Sequence, residues 1–329
     1  MTIAHLVRSS IGAASLLCLM GTATPAAAFS SVVAFGDSLS DTGNLLALTS
    51  SLPQFFPVAL PQADDYWQGR FSNGPVAVEV LAQGLGVPLY NFAFGGAKSG
   101  LDGLVPNTGL LTQVGLYANV VSGVADATAL HVVWGGANDL RDATPATASA
   151  VIGQTVLNLV DVVGDLYGMG ARQFLLPNLP DLGLTPEVLS LGIPEAVVAA
   201  TTLSVSFNSV LANAYDQLLS VLPGAQFYYF DTFLAQHALT NTVGQPGSPF
   251  TNASEGCFTG YVGIAGEHCG LTAFDGAGHV YWDKVHPTAA THGVLGNMML
   301  AAVPEPATVL SMGLGVLLLL GLSARRRRG

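Results

Sequence analysis

The first residue with obvious chemical potential is a serine in the segment 35–44, where Ser38 follows Gly36 and Asp37 at the end of a short apolar run. A hydroxyl at a strand-to-helix turn is exposed, and the N-terminal end of the following helix favours the negative charge that a reaction develops there. Ser38 is therefore a candidate nucleophile. The same position also suits an ordinary helix N-cap, and this segment alone does not separate the two interpretations.

A second segment, 281–288, places an aspartate three residues before a histidine, as Asp283 and His286. Where the backbone turns between them, the carboxylate can meet the imidazole and fix its tautomer, which is the arrangement a general base needs. Two alternatives stand beside this one. The segment can be a surface loop leading into a helix with Pro287 in its first turn, or half of a metal site, although no third ligand with suitable spacing is evident.

Hydrogen-bond donors for a negative charge can come from two further segments. Gly95 and Gly96 follow an apolar strand, and adjacent glycines let the backbone approach a ligand while leaving N–H groups free. Asn138 follows another such strand within Gly-Ala-Asn-Asp and can turn its side-chain amide toward the same place. Taken singly, each is as well explained by a tight turn or an Asx turn.

The elements that position these residues alternate along the middle of the chain, which shows no internal repeat. Short β-rich runs predict strands at 31–35, 87–94, 131–134, 173–176 and 226–230. Longer Ala/Leu/Val-rich stretches predict helices at 76–85, 110–121, 146–167, 194–222 and 288–302. This order implies right-handed crossovers and an α/β fold with a mainly parallel five-stranded sheet flanked by helices on both faces. The site is expected at the carboxyl ends of the strands.

Two long segments interrupt this pattern. Residues 50–72 contain three prolines and an aromatic cluster, and residues 240–278 are rich in Gly, Thr and Asn. Long loops in a compact domain are often lids or binding loops, but surface decoration is the alternative. The aromatic cluster consists of Phe55, Phe56, Tyr66, Trp67 and Phe71. Its first four members suit an acyl chain and equally suit a core.

The two ends of the chain are predicted to be targeting segments. Residues 1–28 have a charged start, a short apolar run and a small-residue cleavage site before Phe29, which together indicate a secretory signal peptide. At the other end, Pro-Glu-Pro at 304–306 precedes an apolar run at 307–324 and four arginines at 325–328. Eighteen helical residues rise about 27 Å, enough to span a hydrocarbon core.

The C-terminal segment 303–329 resembles the PEP-CTERM sorting signal of Gram-negative bacteria. The resemblance implies an exosortase-like processing partner and a transient anchor in the inner membrane through the C-terminal helix. A plain C-terminal anchor is the alternative. With 1–28 and 303–329 set aside, residues 29–302 are predicted to form one exported domain on the cell surface, in the outer envelope or in the extracellular matrix.

Cysteine usage agrees with export. Cys18 lies within the predicted signal peptide, which leaves Cys257 and Cys269 as a pair in an oxidising compartment. A disulfide closing so short a loop contributes around 3 kcal/mol in the chain-entropy model. Zinc binding, suggested by His268 beside Cys269, is disfavoured because there are only two thiols and no Cys-x-x-Cys spacing.

The charge balance limits the partners. The whole chain has 10 Lys and Arg against 21 Asp and Glu. Outside the two end segments, five basic residues face some twenty carboxylates, a net charge near −15. No basic face is available to neutralise phosphates, so nucleic-acid binding is excluded. His292, one turn beyond Pro287, is expected on a helix surface.

Taken together and in order, the segments resemble the GDSL esterase/lipase family, also called SGNH hydrolases, and in particular its phospholipase/lecithinase/hemolysin-like branch. The resemblance covers nearly the whole middle of the chain, and the segments that carry it are 36–39, 69–75, 95–96, 136–139, 177–183 and 283–288. It implies a three-layer, flavodoxin-like SGNH fold. It also implies Ser38 as nucleophile, His286 as general base and Asp283 as its orienting carboxylate, with an oxyanion hole formed by Ser38, Gly96 and Asn138.

The function implied is a carboxylic ester hydrolase that forms an acyl-enzyme and needs neither cofactor nor metal. The substrate is expected to be an ester of a lipid or of an acylated carbohydrate. Close variants are an acyltransferase and an exopolysaccharide acetylesterase. From another class, a catalytically inactive surface or biofilm-matrix protein is the alternative, and a metal-dependent phosphoesterase is weakened by the scarcity of clustered ligands.

Overall fold

The computed structural model describes residues 29–272 and 274–303. The predicted signal peptide and the Pro-Glu-Pro segment with its apolar run and arginines lie outside the described residues. The central sheet has five strands in the order β2-β1-β3-β4-β5, and every neighbouring pair is parallel. The strands are β1 (Val32–Gly36), β2 (Leu89–Asn91), β3 (Leu130–Trp134), β4 (Gln173–Pro177) and β5 (Gln226–Phe230).

The helices cover both faces of this sheet. They are α1 (Asn44–Ser50), α2 (Ala77–Leu85), α3 (Leu110–Val120), α4 (Ala137–Arg141), α5 (Ala148–Met169), α6 (Pro186–Leu189), α7 (Pro194–Val221), α8 (Thr232–Asn241) and α9 (Ala289–Ala302). One core cluster joins α3, α5 and α7 to the sheet, and a second joins α2, α8 and α9 to its other face. The predicted three-layer α/β fold is confirmed.

The apolar pattern explains this layering. All five residues of β1 and of β3 are buried, as expected for strands covered on both faces. Helix α5 buries one stripe at spacings of three and four residues, typical of an amphipathic helix on a core. The stripe consists of Ile152, Val156, Leu159, Val163 and Leu166.

Helices α5 and α7 are each long and apolar enough to cross a membrane by length and composition alone. In the structure they pack on the same face of the sheet, where α7 contributes Phe207, Leu211 and Tyr215 to the core. Their apolar composition therefore serves the packing of this domain. Helix α7 buries only one side, so part of its apolar surface faces away from the core.

Several short elements are absent from the sequence prediction. They are α1, α4, α6, α8 and a two-stranded sheet of β6 (Asn252–Gly256) and β7 (His279–Tyr281). Short helices are set by capping contacts more than by periodicity, and Asp231 caps α8 by accepting the N–H of Leu234. Strand β2 is also shorter than the predicted run 87–94, although the N–H groups of Phe92 and Phe94 beyond its end still donate to the backbone oxygens of Ala34 and Gly36 in β1.

Candidate active site

Three side chains from two distant parts of the chain form one hydrogen-bonded line. Ser38 Oγ lies 2.9 Å from Nε2 of His286, and Nδ1 of His286 lies 2.7 Å from Oδ2 of Asp283. Asp283 is fully buried, and the side chains of His286 and Ser38 face a cavity with residue exposures of 5% and 8%. A hydroxyl, an imidazole and a buried carboxylate in this order can move a proton off the hydroxyl.

A sharp turn at the carboxyl end of β1 places Ser38 next to His286. A Cβ at Gly36 would lie 2.3 Å from the backbone oxygen of Trp134, so only glycine lets β1 and β3 approach this closely. Asp37 then closes the turn by accepting the N–H of Leu39 on Oδ1. Burial raises the pKa of Asp37 to about 6.

Asp283 shapes the turn that carries His286. Its Oδ1 accepts the backbone N–H groups of Val285 and His286, which folds the three-residue spacing back on itself. Its Oδ2 lies 2.5 Å from the phenol oxygen of Tyr66, which donates to it alongside His286. Burial alone would raise the pKa of Asp283, but the charge of His286 and these hydrogen bonds outweigh burial and lower it.

Two loops surround the imidazole with aromatic rings. The Phe71 ring lies 5.1 Å from the His286 ring between centroids, and the Tyr261 ring lies nearly parallel to it at 6.0 Å. Tyr66 is fully buried, whereas Phe55 is 71% exposed. The aromatic residues of the loop 50–72 therefore divide between site support and surface. None of them lines the cavity that opens at Ser38, so their predicted use for an acyl chain is not supported.

One hydrogen bond distinguishes the two backbone N–H donors predicted at Gly95 and Gly96. Gly95 donates its N–H to Oδ2 of Asp41 at 2.7 Å, so that N–H is occupied. Gly96 follows in the left-handed region with φ 72°, a conformation that favours glycine. Within residues 29–272 and 274–303, neither the Gly96 N–H nor the Ser38 N–H has a hydrogen-bond acceptor.

Asp41 links this glycine turn to the serine turn, since it also accepts the first N–H groups of α1 from Gly43, Asn44 and Leu45. These hydrogen bonds lower the pKa of Asp41, but burial outweighs them and raises it to about 6. Gly96 itself does not line the cavity.

Asn138 enters the site from the first turn of α4. Its Nδ2 donates to the backbone oxygen of Ala97 at 2.9 Å, and an amide nitrogen carries a second N–H that remains free for another acceptor. The next residue, Asp139, accepts both the N–H and the hydroxyl of Ser99. These bonds fasten α4 to the loop after Gly96. Ser38, Asn138 and His286 all line the same cavity.

The cavity has a volume of about 1110 Å³ and runs along the carboxyl edge of the sheet. Residues of α4, α5 and α7 line it on one side, and residues of α8, β7 and α9 line it on the other. Its rim carries an ion pair between Arg141 and Glu187, so the charges there compensate one another.

Cys257 and Cys269 are joined by a disulfide, as predicted. The two sulfurs and His279 Nδ1 form a compact group, but a disulfide leaves no thiolate to bind a metal. The bridge closes the loop that carries Tyr261 toward His286. The disulfide loop therefore contributes to the surroundings of the site.

The remaining histidines have structural contacts. His131 is buried in β3 beside Tyr117, as expected for a structural residue. His292 is fully buried, so its expected position on a helix surface is wrong. Helix α9 packs against α2 there, and Nδ1 of His292 accepts the N–H of Ala77. His237 contacts Asp181, and His268 contacts Asp65.

Sequence reasoning did not assign Tyr66, Phe71 or Tyr261 to the site. Tyr66 and its partner Asp283 are 217 positions apart, and no local spacing connects them. The aromatic composition of the loop 50–72 was the only indication in the sequence, and composition does not predict which ring contacts which group.

Comparison with known proteins gives two family matches and several relatives. The family described as GDSL-like Lipase/Acylhydrolase matches residues 32–299, and the PEP-CTERM protein-sorting motif matches residues 302–328. A GDSL esterase/lipase of Arabidopsis thaliana is 27% identical over 327 residues, covering 84% of this chain and 90% of its own. The phosphatidylcholine-sterol acyltransferase of Aeromonas hydrophila is 28% identical over 324 residues, covering 85% and 89%.

The thermolabile hemolysin of Vibrio parahaemolyticus is 29% identical over 281 residues, covering 82% of this chain. The match spans only 62% of the length of that hemolysin. Among solved structures, the acetylxylan esterase Axe2 of Geobacillus stearothermophilus aligns with 82% of this chain and 92% of its own, at 13% identity and a TM-score of 0.44.

Proposed function

Because the chain belongs to the GDSL-like lipase/acylhydrolase family, and is on that ground a carboxylic ester hydrolase, we propose that it works through a Ser38–His286–Asp283 triad. The observation that carries the proposal is the continuous line from Ser38 Oγ through His286 to Asp283, with separations of 2.9 and 2.7 Å. Each atom stands where nucleophile, base and orienting carboxylate are required.

In the first half of the reaction, Ser38 Oγ attacks the ester carbonyl carbon while its proton passes to Nε2 of His286. Asp283 stabilises the imidazolium that forms and remains ionised. The carbonyl oxygen becomes an oxyanion, which accepts hydrogen bonds from the Ser38 N–H, the Gly96 N–H and the free N–H of the Asn138 amide. The alcohol then leaves with the proton from His286, and the acyl group stays on Ser38.

In the second half, His286 removes a proton from water, and the resulting hydroxide attacks the acyl carbon. The tetrahedral intermediate collapses, Ser38 recovers its proton from His286, and a carboxylic acid is released. Every proton transfer uses the same nitrogen, so no cofactor enters the scheme.

The test compares the full chain with Ser38→Ala and with Ser40→Ala on p-nitrophenyl acetate and butyrate. Ser40 is a matched control because it is buried two residues farther along the same turn. Its Oγ has no hydrogen-bond partner within the described part of the chain. Ser38→Ala should lose activity by about 10³-fold or more, whereas Ser40→Ala should stay near wild type. Equal rates in wild type and Ser38→Ala would reject the triad.

A second candidate uses an acceptor other than water for the acyl group. It is favoured by the similarity to a phosphatidylcholine-sterol acyltransferase along most of both chains. Offering a radiolabelled phosphatidylcholine with and without a sterol distinguishes the two. Sterol ester would indicate transfer, and free fatty acid alone would indicate hydrolysis.

Catalytic inactivity, as in a matrix protein built on this fold, is disfavoured by the hydrogen-bonded line of Ser38, His286 and Asp283. A polysaccharide acetylesterase remains an outcome to be tested with acetylated exopolysaccharide.

The chain carries a PEP-CTERM sorting motif, and we propose that it directs an exported domain. Residues 1–28 would be removed as a signal peptide, residues 29–302 would form the hydrolase domain, and 303–329 would anchor it transiently before an exosortase-like protease cuts. Mass spectrometry of the protein from its native host tests this. A mature N-terminus at Phe29 and loss of the four C-terminal arginines are expected, and retention of both ends in the mature protein would contradict it.

A further inference from the structure

The cavity at Ser38 is larger than a small acyl group requires. Its volume of about 1110 Å³ slightly exceeds the roughly 300–1,000 Å³ typical of small-molecule sites. Ser38 and His286, the proposed reaction centre, form only a small part of its lining. An acetyl ester would therefore leave most of the space to water.

One part of this cavity is a groove between α5 and α7, here called the α5–α7 groove. Ile152 and Leu203 supply its larger apolar contacts, and its other lining residues are mostly small, including Ala148, Gly153 and Ala199. No residue of α5 or α7 that lines the groove carries a charge. An uncharged groove of this kind fits an alkyl chain better than a hydroxyl-rich sugar, which needs many hydrogen-bonding partners.

The position of the groove relative to the reacting groups indicates which half of an ester it takes. Asn138, the proposed oxyanion donor, lies on α4, which leads directly into α5. His286, which would protonate the leaving alcohol, lies before α9 on the opposite side of the cavity. The leaving oxygen must lie within reach of His286 Nε2, so the alcohol would occupy the α9 side of the cavity, and the acyl chain would extend away from it, toward α5.

Resting on the proposed function, we propose that the α5–α7 groove binds the acyl chain and makes the protein selective for esters of medium and long fatty acids. Each methylene buried from water is worth about 0.8 kcal/mol, which corresponds to roughly fourfold in kcat/KM. The value of kcat/KM should therefore rise steeply from acetate to octanoate.

Gly153 offers a clean way to fill the groove. Gly153 lines the cavity, and a Cβ placed there meets nothing within 4 Å, so Gly153→Leu begins a larger side chain in open space at the groove wall. Gly164 is a matched control on the same helix. It is partly buried like Gly153, a Cβ there also meets nothing within 4 Å, and it lies outside the cavity lining.

The experiment measures kcat/KM of the full chain on p-nitrophenyl acetate, butyrate, octanoate and palmitate for wild type, Gly153→Leu and Gly164→Leu. Gly153→Leu should lower the octanoate and palmitate values at least ~10-fold and leave acetate unchanged, because about two methylenes or more lose their contacts. Gly164→Leu should follow the wild type on all four esters. A parallel titration with a fluorescent polyene fatty acid, cis-parinaric acid, measures binding without turnover, and Gly153→Leu should weaken it by a similar factor.

The outcomes separate the groove from the reaction. A flat chain-length profile in wild type, or equal profiles and equal fatty-acid binding in the two leucine variants, would overturn the acyl groove. Acetate hydrolysis that still depends on Ser38 would then leave the proposed function standing. Should the chain hydrolyse none of the esters, the proposed function fails, and the fatty-acid titration still decides whether the groove binds alkyl chains.

Discussion

The phenol oxygen of Tyr66 lies 2.5 Å from Oδ2 of Asp283, the same carboxylate oxygen that receives Nδ1 of His286. Both Tyr66 and Asp283 are fully buried, so water does not compete for this contact. Burial and the charge of Asp283 raise the pKa of Tyr66, which keeps the phenol protonated and donating. The hydrogen bond from the phenol therefore fixes the position of the Asp283 carboxylate. The negative charge of that carboxylate is divided between two partners, the phenol of Tyr66 and the imidazole of His286.

Tyr66→Phe removes only the hydroxyl and keeps the ring against Phe71 and Phe258. We expect kcat to fall by about 10- to 150-fold, since a hydrogen bond to a charged group of about 1.5–3 kcal/mol is lost. The acid limb of the kcat/KM profile should move to higher pH, because the carboxylate then acts more strongly on protonated His286.

The control for this prediction is Tyr117→Phe, which removes another buried hydroxyl that contacts His131, away from the site. Its pH profile should match that of the wild type. A purely structural role for Tyr66 would lower stability without displacing the acid limb, and that result would count against the positioning role.

Asp283→Asn keeps an oxygen that can accept the N–H groups of Val285 and His286 but removes the charge opposite the imidazole. The imidazole then lacks its orienting anion and favours the wrong tautomer. A fall in kcat of about 10⁴-fold is expected. Steady-state kinetics at several pH values measure it, and a loss of less than tenfold would remove Asp283 from the proposed triad.

Asn138→Ala should lower kcat about 10²–10³-fold with little change in KM, since the amide would act on the oxyanion of the transition state. Asn158→Ala is the matched control, because Asn158 donates to Ser99 Oγ in the neighbouring loop but does not line the cavity. Comparable losses in both variants would mean that loop anchoring, not oxyanion stabilisation, explains the effect.

The buried His292 makes a prediction about stability and pH. Burial lowers the pKa of His292 from the usual 6.5 to about 3, with a smaller contribution from the charge of His286. Below pH 6.5 the unfolded chain therefore binds a proton that the native state does not. The free energy of unfolding falls as the pH drops from 6.5 toward 3, by about 1.4 kcal/mol per unit from this residue.

His292→Asn keeps an acceptor for the N–H of Ala77 and removes the titrating group. Urea unfolding at pH 7.5 and pH 5 should show the wild type losing about 2 kcal/mol more than the variant between the two conditions. The same pH dependence in both proteins would show that His292 is protonated without cost in the native state.

The strand-helix alternation could be predicted from local patterns, but each of the segments with Ser38 and with Asp283 and His286 alone allowed another interpretation. Only the segments taken together, through the family resemblance, predicted that these three side chains meet, and the structure brings them together. Gly96 could not be distinguished from Gly95 until the hydrogen bond from Gly95 to Asp41 was known.

The contacts of Tyr66 and His292 could not be predicted, because each joins segments more than 200 positions apart. The cavity depends on how closely α5 and α7 approach one another, a property of packing that periodicity does not express. The short helices α1 and α8 each depend on a single capping carboxylate, and hydrophobic periodicity does not indicate such a contact either.

The most direct test of the central proposal is to trap the acyl group on the chain. Wild type mixed rapidly with p-nitrophenyl butyrate and quenched in acid should show a burst of nitrophenol and a mass increase of one butyryl group. Peptide mapping should place that group on Ser38, and Ser38→Ala should show neither burst nor adduct while Ser40→Ala shows both. An adduct on another residue, or turnover by Ser38→Ala at the wild-type rate, would contradict the proposed mechanism.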